Sequence, residues 1–352
     1  MTDRILISAA GTGGHVIPAL SVAQEMMAKG YDVHWLGTPH GIEQKLVTEQ
    51  GIHLHSITIR GLRGKGIRGL LSAPWRVLSA TVQAWRVIRC LRPKAVVGFG
   101  GYVTGPAGVA ARLAGTKLAI HEQNAFPGLT NKWLRPLAHL TLQAFAGALP
   151  GAITCGNPVR DQFSGISEPV ARRDALHVLV VGGSLGAKAL NNTVLAAMQQ
   201  MAEEERPKLV HQVGENHVDD MLRQYQQAGV DADVVAFIQD MPAAYAQADL
   251  IVCRAGALTV SEVAAAGRAA IFVPFPHAVD DHQTANASSL EKNGAAELVQ
   301  QSELNASWLA QRFQYYSQHR AALITLAQKA KQCARPDATA QVVEHLETMI
   351  RG

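Results

Sequence analysis

The sequence predicts an α/β protein built from two doubly wound domains, each a parallel sheet covered by helices on both faces and the two facing across a cleft. Three observations carry this. The chain has 352 residues, more than one hydrophobic core usually organises. It opens twice in the same way, with an apolar strand, a glycine-rich turn and then a helix. Its strands are continuous apolar runs rather than alternating ones, as strands buried on both faces are.

The first opening runs through Ile5-Leu-Ile7 to Gly11-Thr-Gly-Gly-His15. Val16, Ala19, Leu20, Ala23 and Met27 then recur at helical spacing, and Gly30 closes the helix. A strand follows at 32–37. From Pro74 onward, Trp75, Leu78, Val82 and Trp85 share one helix face. Lys94-Ala-Val-Val leads into a further glycine loop, Gly98 to Gly105, which contains Thr104. Ala119-Ile-His-Glu-Gln-Asn124 is a strand that ends in polar residues. Turn-rich stretches at 154–160 and 165–169 are the candidate linkers. The second opening is Leu176-His-Val-Leu-Val-Val, Gly182-Gly-Ser-Leu-Gly186 and a helix through Met198, with a strand at 208–214. Asp249-Leu-Ile-Val reads as a buried strand that turns at Gly256 into another helix. Arg335-Pro-Asp breaks the chain, with Asp337 as the cap of a last helix that could pack on either domain. The domains expected are 1–159, joined by 336–352, and 160–335.

Net charge is +4, but its distribution is uneven. No Asp or Glu lies between Gln50 and His121, where Arg and Lys total +11, leaving −7 for the rest of the chain. Such asymmetry points to an anionic partner of the first half. Leu70, Leu71, Trp75, Leu78 and Trp85 among those cations suit docking on an anionic membrane surface, where Trp and Leu insert. The alternative is a core-facing stripe with solvated arginines. No nucleic-acid module is visible, so nucleic acid is not expected as a partner. Nor is there a signal segment, or a run of 18 apolar residues that could span a bilayer. The four cysteines, Cys90, Cys155, Cys253 and Cys333, have no metal-ligand spacing.

The chemistry concentrates at strand ends. Gly256 lets the backbone pass close to a ligand, Thr259 and Ser261 offer hydroxyls at a helix start, and the N–H groups there favour phosphate. Glu262, one turn inside, can accept two hydrogen bonds from a vicinal diol. Phosphate plus diol means a nucleotide. The first loop departs from a dinucleotide fingerprint, with Val16 in place of the third glycine and no acid after the second strand, which counts against NAD. The second loop lacks the Gly-Lys-Ser/Thr of a Walker loop. His15 stands at a helix N-terminus, whose dipole favours the neutral ring a general base requires. Glu122 and Asn124 are candidate acceptor contacts, Glu122 also a candidate catalytic group. His277, Asp281 and His282 could be read as metal ligands, but no further ligand cluster supports this, and no metal or cofactor is expected. These residues alone describe a nucleotide-sugar enzyme.

The ordered motifs Gly11-Thr-Gly-Gly-His-Val16, Gly61-Leu-Arg-Gly-Lys-Gly66, Gly100-Gly-Tyr-Val-Thr-Gly-Pro106 and His121-Glu-Gln-Asn124 continue with Gly128-Leu-Thr-Asn-Lys132 and Gly156-Asn-Pro-Val-Arg160. Gly182-Gly-Ser-Leu-Gly-Ala187, Cys253-Arg-Ala-Gly-Ala-Leu-Thr-Val-Ser-Glu262 and Asp281-His-Gln283 complete the set. Together they resemble the MurG family of N-acetylglucosaminyltransferases, essentially end to end. The resemblance implies two Rossmann-like domains of the GT-B type, with donor mainly on the second and acceptor on the first. It implies inverting transfer of GlcNAc from UDP-GlcNAc to the MurNAc 4-hydroxyl of lipid I, giving lipid II on the cytoplasmic face of the bacterial membrane. It also implies site roles. Ile238 main chain would meet uracil, Glu262 the ribose, and Ser184, Leu258 and Thr259 the diphosphate, with Arg160 nearby. Val260 and Ser261 belong to the same helix start. Ala257 and Gln283 would address GlcNAc hydroxyls, while Thr12, Gly13, Gly14 and Asn124 would line the acceptor side with His15 as base. Some relatives carry two glutamines where this chain has His282-Gln283. A UDP-sugar epimerase and a non-catalytic sugar-nucleotide-binding protein are the competing readings.

Overall fold

The computed structural model describes residues 2–59, 66–170, 174–183, 186–276 and 281–352, and within 66–72 the backbone only. The chain divides into two compact units, Met1–Arg160 with Asp337–Gly352, and Asp161–Pro336.

The first unit runs β1 (Arg4–Ser8), α1 (Gly13–Ala28), β2 (Asp32–Gly37), α2 (Ile42–Thr48), β3 (His53–Ser56) and α3 (Gly66–Leu91). It continues β4 (Ala95–Gly98), α4 (Thr104–Leu113), β5 (Lys117–Glu122), α5 (Leu129–Leu134), β6 (Leu140–Gln143) and β7 (Ile153–Thr154). The strands pair in parallel in the order β3-β2-β1-β4-β5-β6-β7. The order reverses between β1 and β4, which leaves a crevice at their carboxyl ends where such sheets bind ligands. Ile5 and Ile7 face one core with Val22 and Met26 of α1, and Leu6 faces the other with Ala84 and Ile88 of α3.

The second unit runs α6 (Asp161–Ser164), β8 (His177–Val181), α7 (Lys188–Gln200), β9 (Lys208–Gln212), α8 (Val218–Gln227), β10 (Asp233–Val235) and α9 (Met241–Gln247). Then come β11 (Leu250–Cys253), α10 (Ala257–Ala266), β12 (Ala269–Phe272), α11 (His282–Glu291), β13 (Glu297–Leu298), α12 (Ala306–Gln318) and α13 (Arg320–Gln332). Its parallel sheet has the order β10-β9-β8-β11-β12-β13, reversing between β8 and β11.

The last helix, α14 (Ala338–Arg351), buries Val342, Val343 and Leu346 in the first unit's core. Glu347 holds it there, accepting from Lys29 Nζ at 3.1 Å and from the Tyr31 hydroxyl at 3.2 Å. Pro74 lies inside α3, which starts at Gly66, and its missing N–H forfeits one bond of a 26-residue ladder. One local expectation changes. Asp337 stands at the N-cap of α14 without capping a backbone N–H, and its carboxylate accepts instead from the Gln341 amide.

Candidate functional site

In the first unit the site begins where two glycine loops press together at the carboxyl ends of β1 and β4. Gly101 has φ +79, and a Cβ there would lie 2.4 Å from Ala10 O, so only glycine fits. Thr104 Oγ1 donates to Gly100 O at 2.6 Å and to Ser8 O at 2.9 Å, so this hydroxyl locks the loop rather than offering itself to a ligand. Buried Glu43 steadies the other loop: Oε1 accepts from Thr38 N and Oγ1 at 3.0 and 2.7 Å, and Oε2 from Gly11 N at 3.5 Å. Thr12 is exposed at the N-cap of α1 and makes no side-chain cap; Gly13, Gly14 and His15 follow half-buried. That helix start therefore presents backbone N–H groups beside an imidazole, a pairing suited to an anion next to a base.

His15 Nδ1 lies 2.9 Å from Gln123 Oε1, and Gln123 Nε2 lies 3.1 Å from His121 Nδ1. His121 is fully buried, its pKa lowered to about 4 by burial against the opposing pull of the Gly156 carbonyl. Glu122, expected to touch substrate or act in catalysis, is instead enclosed. Its Oε1 accepts from Asn124 N (2.9 Å) and Nδ2 (3.2 Å), and its Oε2 from Gly128 N (3.1 Å) and Asn131 Nδ2 (2.9 Å). Only 1% of the residue is exposed. Glu122 thus organises the turn carrying half-buried Asn124 and the start of α5. Alternation along the strand explains the exchange of roles, since His121 and Gln123 take the side facing His15.

In the second unit, Ser184 lies outside the described residues. Around it, Gly186 has φ +74 and would place a Cβ 2.4 Å from Val213 O. Gln212 clasps the loop, with Oε1 accepting from Gly183 N at 3.1 Å and Nε2 donating to Gly183 O at 3.1 Å and Ala236 O at 2.9 Å. The last of these bonds also sets the strand end that leads to half-buried Ile238. Gly256 caps α10 without a side chain. Ala257 and Leu258 are buried, Thr259 is half-buried, and Val260 at 2% exposure can offer only main chain to a ligand. Ser261 Oγ donates to Ala257 O at 2.9 Å, so its hydroxyl is spent within the helix rather than at its cap. Glu262 is buried one turn in, and burial together with its charge raises the pKa of the adjacent Cys253 thiol.

Arg254 ties this turn to the next strand end, donating to Val273 O and Pro274 O at 3.1 Å each and to Gln301 Oε1 at 2.6 Å. Gln283 Oε1 accepts from Phe275 N at 2.9 Å, fixing one end of its amide. Asn286 Nδ2 reaches Ala255 O at 3.2 Å. Asp281 has φ +50 and accepts from the Thr284 hydroxyl, while His282 is half-buried. His277 and Asp280 lie outside the described residues. Among the described residues no group of three or more His, Cys, Asp or Glu is arranged to hold a metal ion. Arg160 is the half-buried last residue of the first unit's long segment.

The helical stripe on α3 faces outward. Trp75 is 74% exposed, Leu78 53%, Val82 40% and Trp85 38%, whereas Ala80, Ala84, Ile88 and Leu91 make the core contact. This overturns the core-facing alternative. Arg89 stands over the Trp85 ring, 5.6 Å from its centroid. The side chains of Leu70 and Leu71 are outside the described residues. Leu113 of α4, which packs on α3, and Leu129 and Trp133 of α5, which packs on α4, are exposed as well. Glu122 is the one carboxylate side chain between Glu49 and Asp161, and it is internal. Among the described residues no helix is long and apolar enough to cross a membrane.

Three residues that position the site, Glu43, Gln123 and Gln212, escaped sequence reasoning. Gln123 was within reach, being inside the polar strand end; Glu43 and Gln212 act across elements and carry no local signal.

Residues 5–142 match the glycosyltransferase family 28 N-terminal domain and residues 177–342 the family's C-terminal domain. The chain is 50% identical to the UDP-N-acetylglucosamine–N-acetylmuramyl-(pentapeptide) pyrophosphoryl-undecaprenol N-acetylglucosamine transferase of Azotobacter vinelandii, over all of both chains. It is 48% identical to the transferase of the same name from Pseudomonas paraeruginosa, again over all of both. The crystal structure of Acinetobacter baumannii MurG superposes with a TM-score of 0.82 at 43% identity, covering 98% of this chain and 99% of that one. The chain therefore belongs to glycosyltransferase family 28, among the MurG N-acetylglucosaminyltransferases.

Proposed function

We propose that this protein transfers N-acetylglucosamine from UDP-N-acetylglucosamine to the 4-hydroxyl of the N-acetylmuramyl sugar of lipid I, with inversion at the anomeric carbon, giving lipid II. The observation that carries the reading is end-to-end kinship with transferases named for that donor and acceptor, joined to a site chemistry that fits it. On the donor side, Ile238 main chain meets uracil and buried Glu262 takes the ribose diol. The uncapped start of α10, at Leu258 and Thr259, holds the diphosphate together with Ser184 and Arg160. The aligned N–H groups favour the charge that grows on departing UDP. Ala257 and Gln283 take the sugar hydroxyls. On the acceptor side, Thr12, Gly13, Gly14 and Asn124 line the approach, and His15 removes the proton of the attacking hydroxyl. One base and one displacement give inversion. A UDP-sugar epimerase would need neither a lipid acceptor nor the outward Trp and Leu stripe of α3.

That stripe supports docking on an anionic membrane surface as a peripheral protein on the cytoplasmic face. Arg76, Arg86 and Arg89 are exposed on the same helix as Trp75, Leu78 and Trp85, so lipid head groups meet cations while apolar side chains enter the interface.

The test measures UDP release from UDP-GlcNAc in EDTA, with and without a short-chain lipid I analogue. Acceptor-dependent release with a β-linked disaccharide product is expected. Release without acceptor would instead indicate an epimerase-like or hydrolytic enzyme, and no release in any arm a binding protein.

A further inference from the structure

Three hydrogen bonds in line join the His15 ring to a main-chain carbonyl beyond β5. His15 Nδ1 meets Gln123 Oε1 at 2.9 Å, Gln123 Nε2 meets His121 Nδ1 at 3.1 Å, and His121 Nε2 meets Gly156 O at 3.0 Å. The carbonyl at the far end settles the direction of all three. It can only accept, so His121 Nε2 carries hydrogen. In a neutral His121 ring Nδ1 is then bare and accepts from Gln123 Nε2. The Gln123 amide cannot be turned round, because Nε2 also donates to His121 O at 3.0 Å, where an amide oxygen would face an oxygen. Gln123 Oε1 is left toward His15 and can only accept. The hydrogen of that last bond therefore sits on His15 Nδ1.

We infer that Gln123, oriented by His121, is a positioning residue that holds neutral His15 in the Nδ1–H tautomer, so that Nε2 is the nitrogen that takes the acceptor hydroxyl's proton. The inference rests on His15 being the base and adds how that base is aimed.

The surroundings fit this role. Burial lowers the His121 pKa to about 4, so the ring is neutral at physiological pH, as the relay requires; a charged His121 would turn an Nδ1–H against the Gln123 NH₂. The ring is clamped by Phe99, whose centroid is 5.4 Å away in a stacked geometry, and His121 O takes a second bond from Asn131 Nδ2 at 3.1 Å. Gly100, at φ +93, would place a Cβ 3.0 Å from both Nδ1 and Cε1 of His15, so only glycine lets the ring lie this close to the loop. A glutamine in place of a carboxylate also has a chemical consequence. It orients the ring as an acceptor without adding the negative charge that would stabilise imidazolium and make the base harder to regenerate. The carboxylates on neighbouring segments, Glu43 and Glu122, are each committed to backbone and side-chain donors of their own.

The test is a long-range proton–nitrogen correlation spectrum of the full chain labelled with nitrogen-15 in histidine, with His15 assigned by its loss in His15→Gln. Wild type is expected to show His15 with hydrogen on Nδ1 and a bare Nε2, and His121 with the opposite tautomer. Gln123→Met should release His15 toward Nε2–H while His121 keeps its pattern, which shows that the fold survives. Its kcat should fall about tenfold or more, a part of the ~10²–10⁴ that a positioned base supplies, with KM for UDP-GlcNAc unchanged. An Nε2–H His15 in wild type, or an unchanged tautomer and kcat in Gln123→Met, would overturn the relay. Full turnover in His15→Ala, beside an Nδ1–H ring in wild type, would overturn the base assignment alone.

Discussion

Glu122→Gln is nearly isosteric, yet the structure makes it costly. Four donors surround the carboxylate, two on each oxygen: Asn124 N and Nδ2 on Oε1, Gly128 N and Asn131 Nδ2 on Oε2. A glutamine must set its NH₂ against one pair in either orientation. Two hydrogen bonds to a charged acceptor are then lost, at about 1.5–3 kcal/mol each, and their donors are left facing a third, so a loss of roughly 3–6 kcal/mol follows. At roughly 2–4 °C per kcal/mol for a unit of this size, the melting transition of the first unit should fall by about 6 °C at the least. Scanning calorimetry of the full chain reads this directly. Activity should fall with the melting temperature and partly recover on cooling. A variant that melts with wild type but has lost kcat would refute the argument and return Glu122 to the chemistry.

Further outcomes follow from other contacts. Gly101→Ala adds a Cβ 2.4 Å from Ala10 O to an unfavourable φ of +79, whereas Gly115→Ala, at φ +70 with open space around it, carries the backbone cost alone. The second should cost about 1–2 kcal/mol and the first clearly more, with loss of transfer; equal urea midpoints would contradict the close packing of the two glycine loops. Burial lowers His121 to about 4 and His211 to about 3 from an ordinary 6.5. The unfolded chain thus binds more protons across that interval. Stability from the neutral rings is complete above 6.5 and is lost as pH falls through 6.5 toward 4, worth roughly 3 kcal/mol for His121. A urea midpoint unchanged between pH 7 and pH 4.5 would contradict it. Trp75→Glu with Leu78→Glu should weaken binding to anionic vesicles and leave UDP-GlcNAc binding and melting intact, because both side chains are exposed; unchanged sedimentation with vesicles would contradict the interfacial reading.

The fold class was legible in the chain because it rests on local pattern. The continuous apolar runs at β1, β8 and β11 can be buried only inside a covered sheet, and each glycine turn after such a run leads into a helix. The arrangement of Gly256 through Glu262 was legible for the same reason: they lie within one strand–turn–helix, so their sequence spacing nearly determines their geometry. The stripe on α3 was visible as a periodicity, but its direction was not, since Trp75 and Ala80 lie on opposite sides of one helix and only packing against the sheet chooses which is buried. Pairings across elements were beyond reach. Glu43 meets Gly11, Gln212 spans the second glycine loop and the 236–238 strand end, and His15 meets Gln123 because β1 lies beside β4 and β4 beside β5. The sequence by itself determined which groups could carry charge, protons and phosphate. Tertiary structure decided which were spent on one another, enclosing Glu122 and aligning Gln123, because a buried polar group must find its partners wherever the fold supplies them.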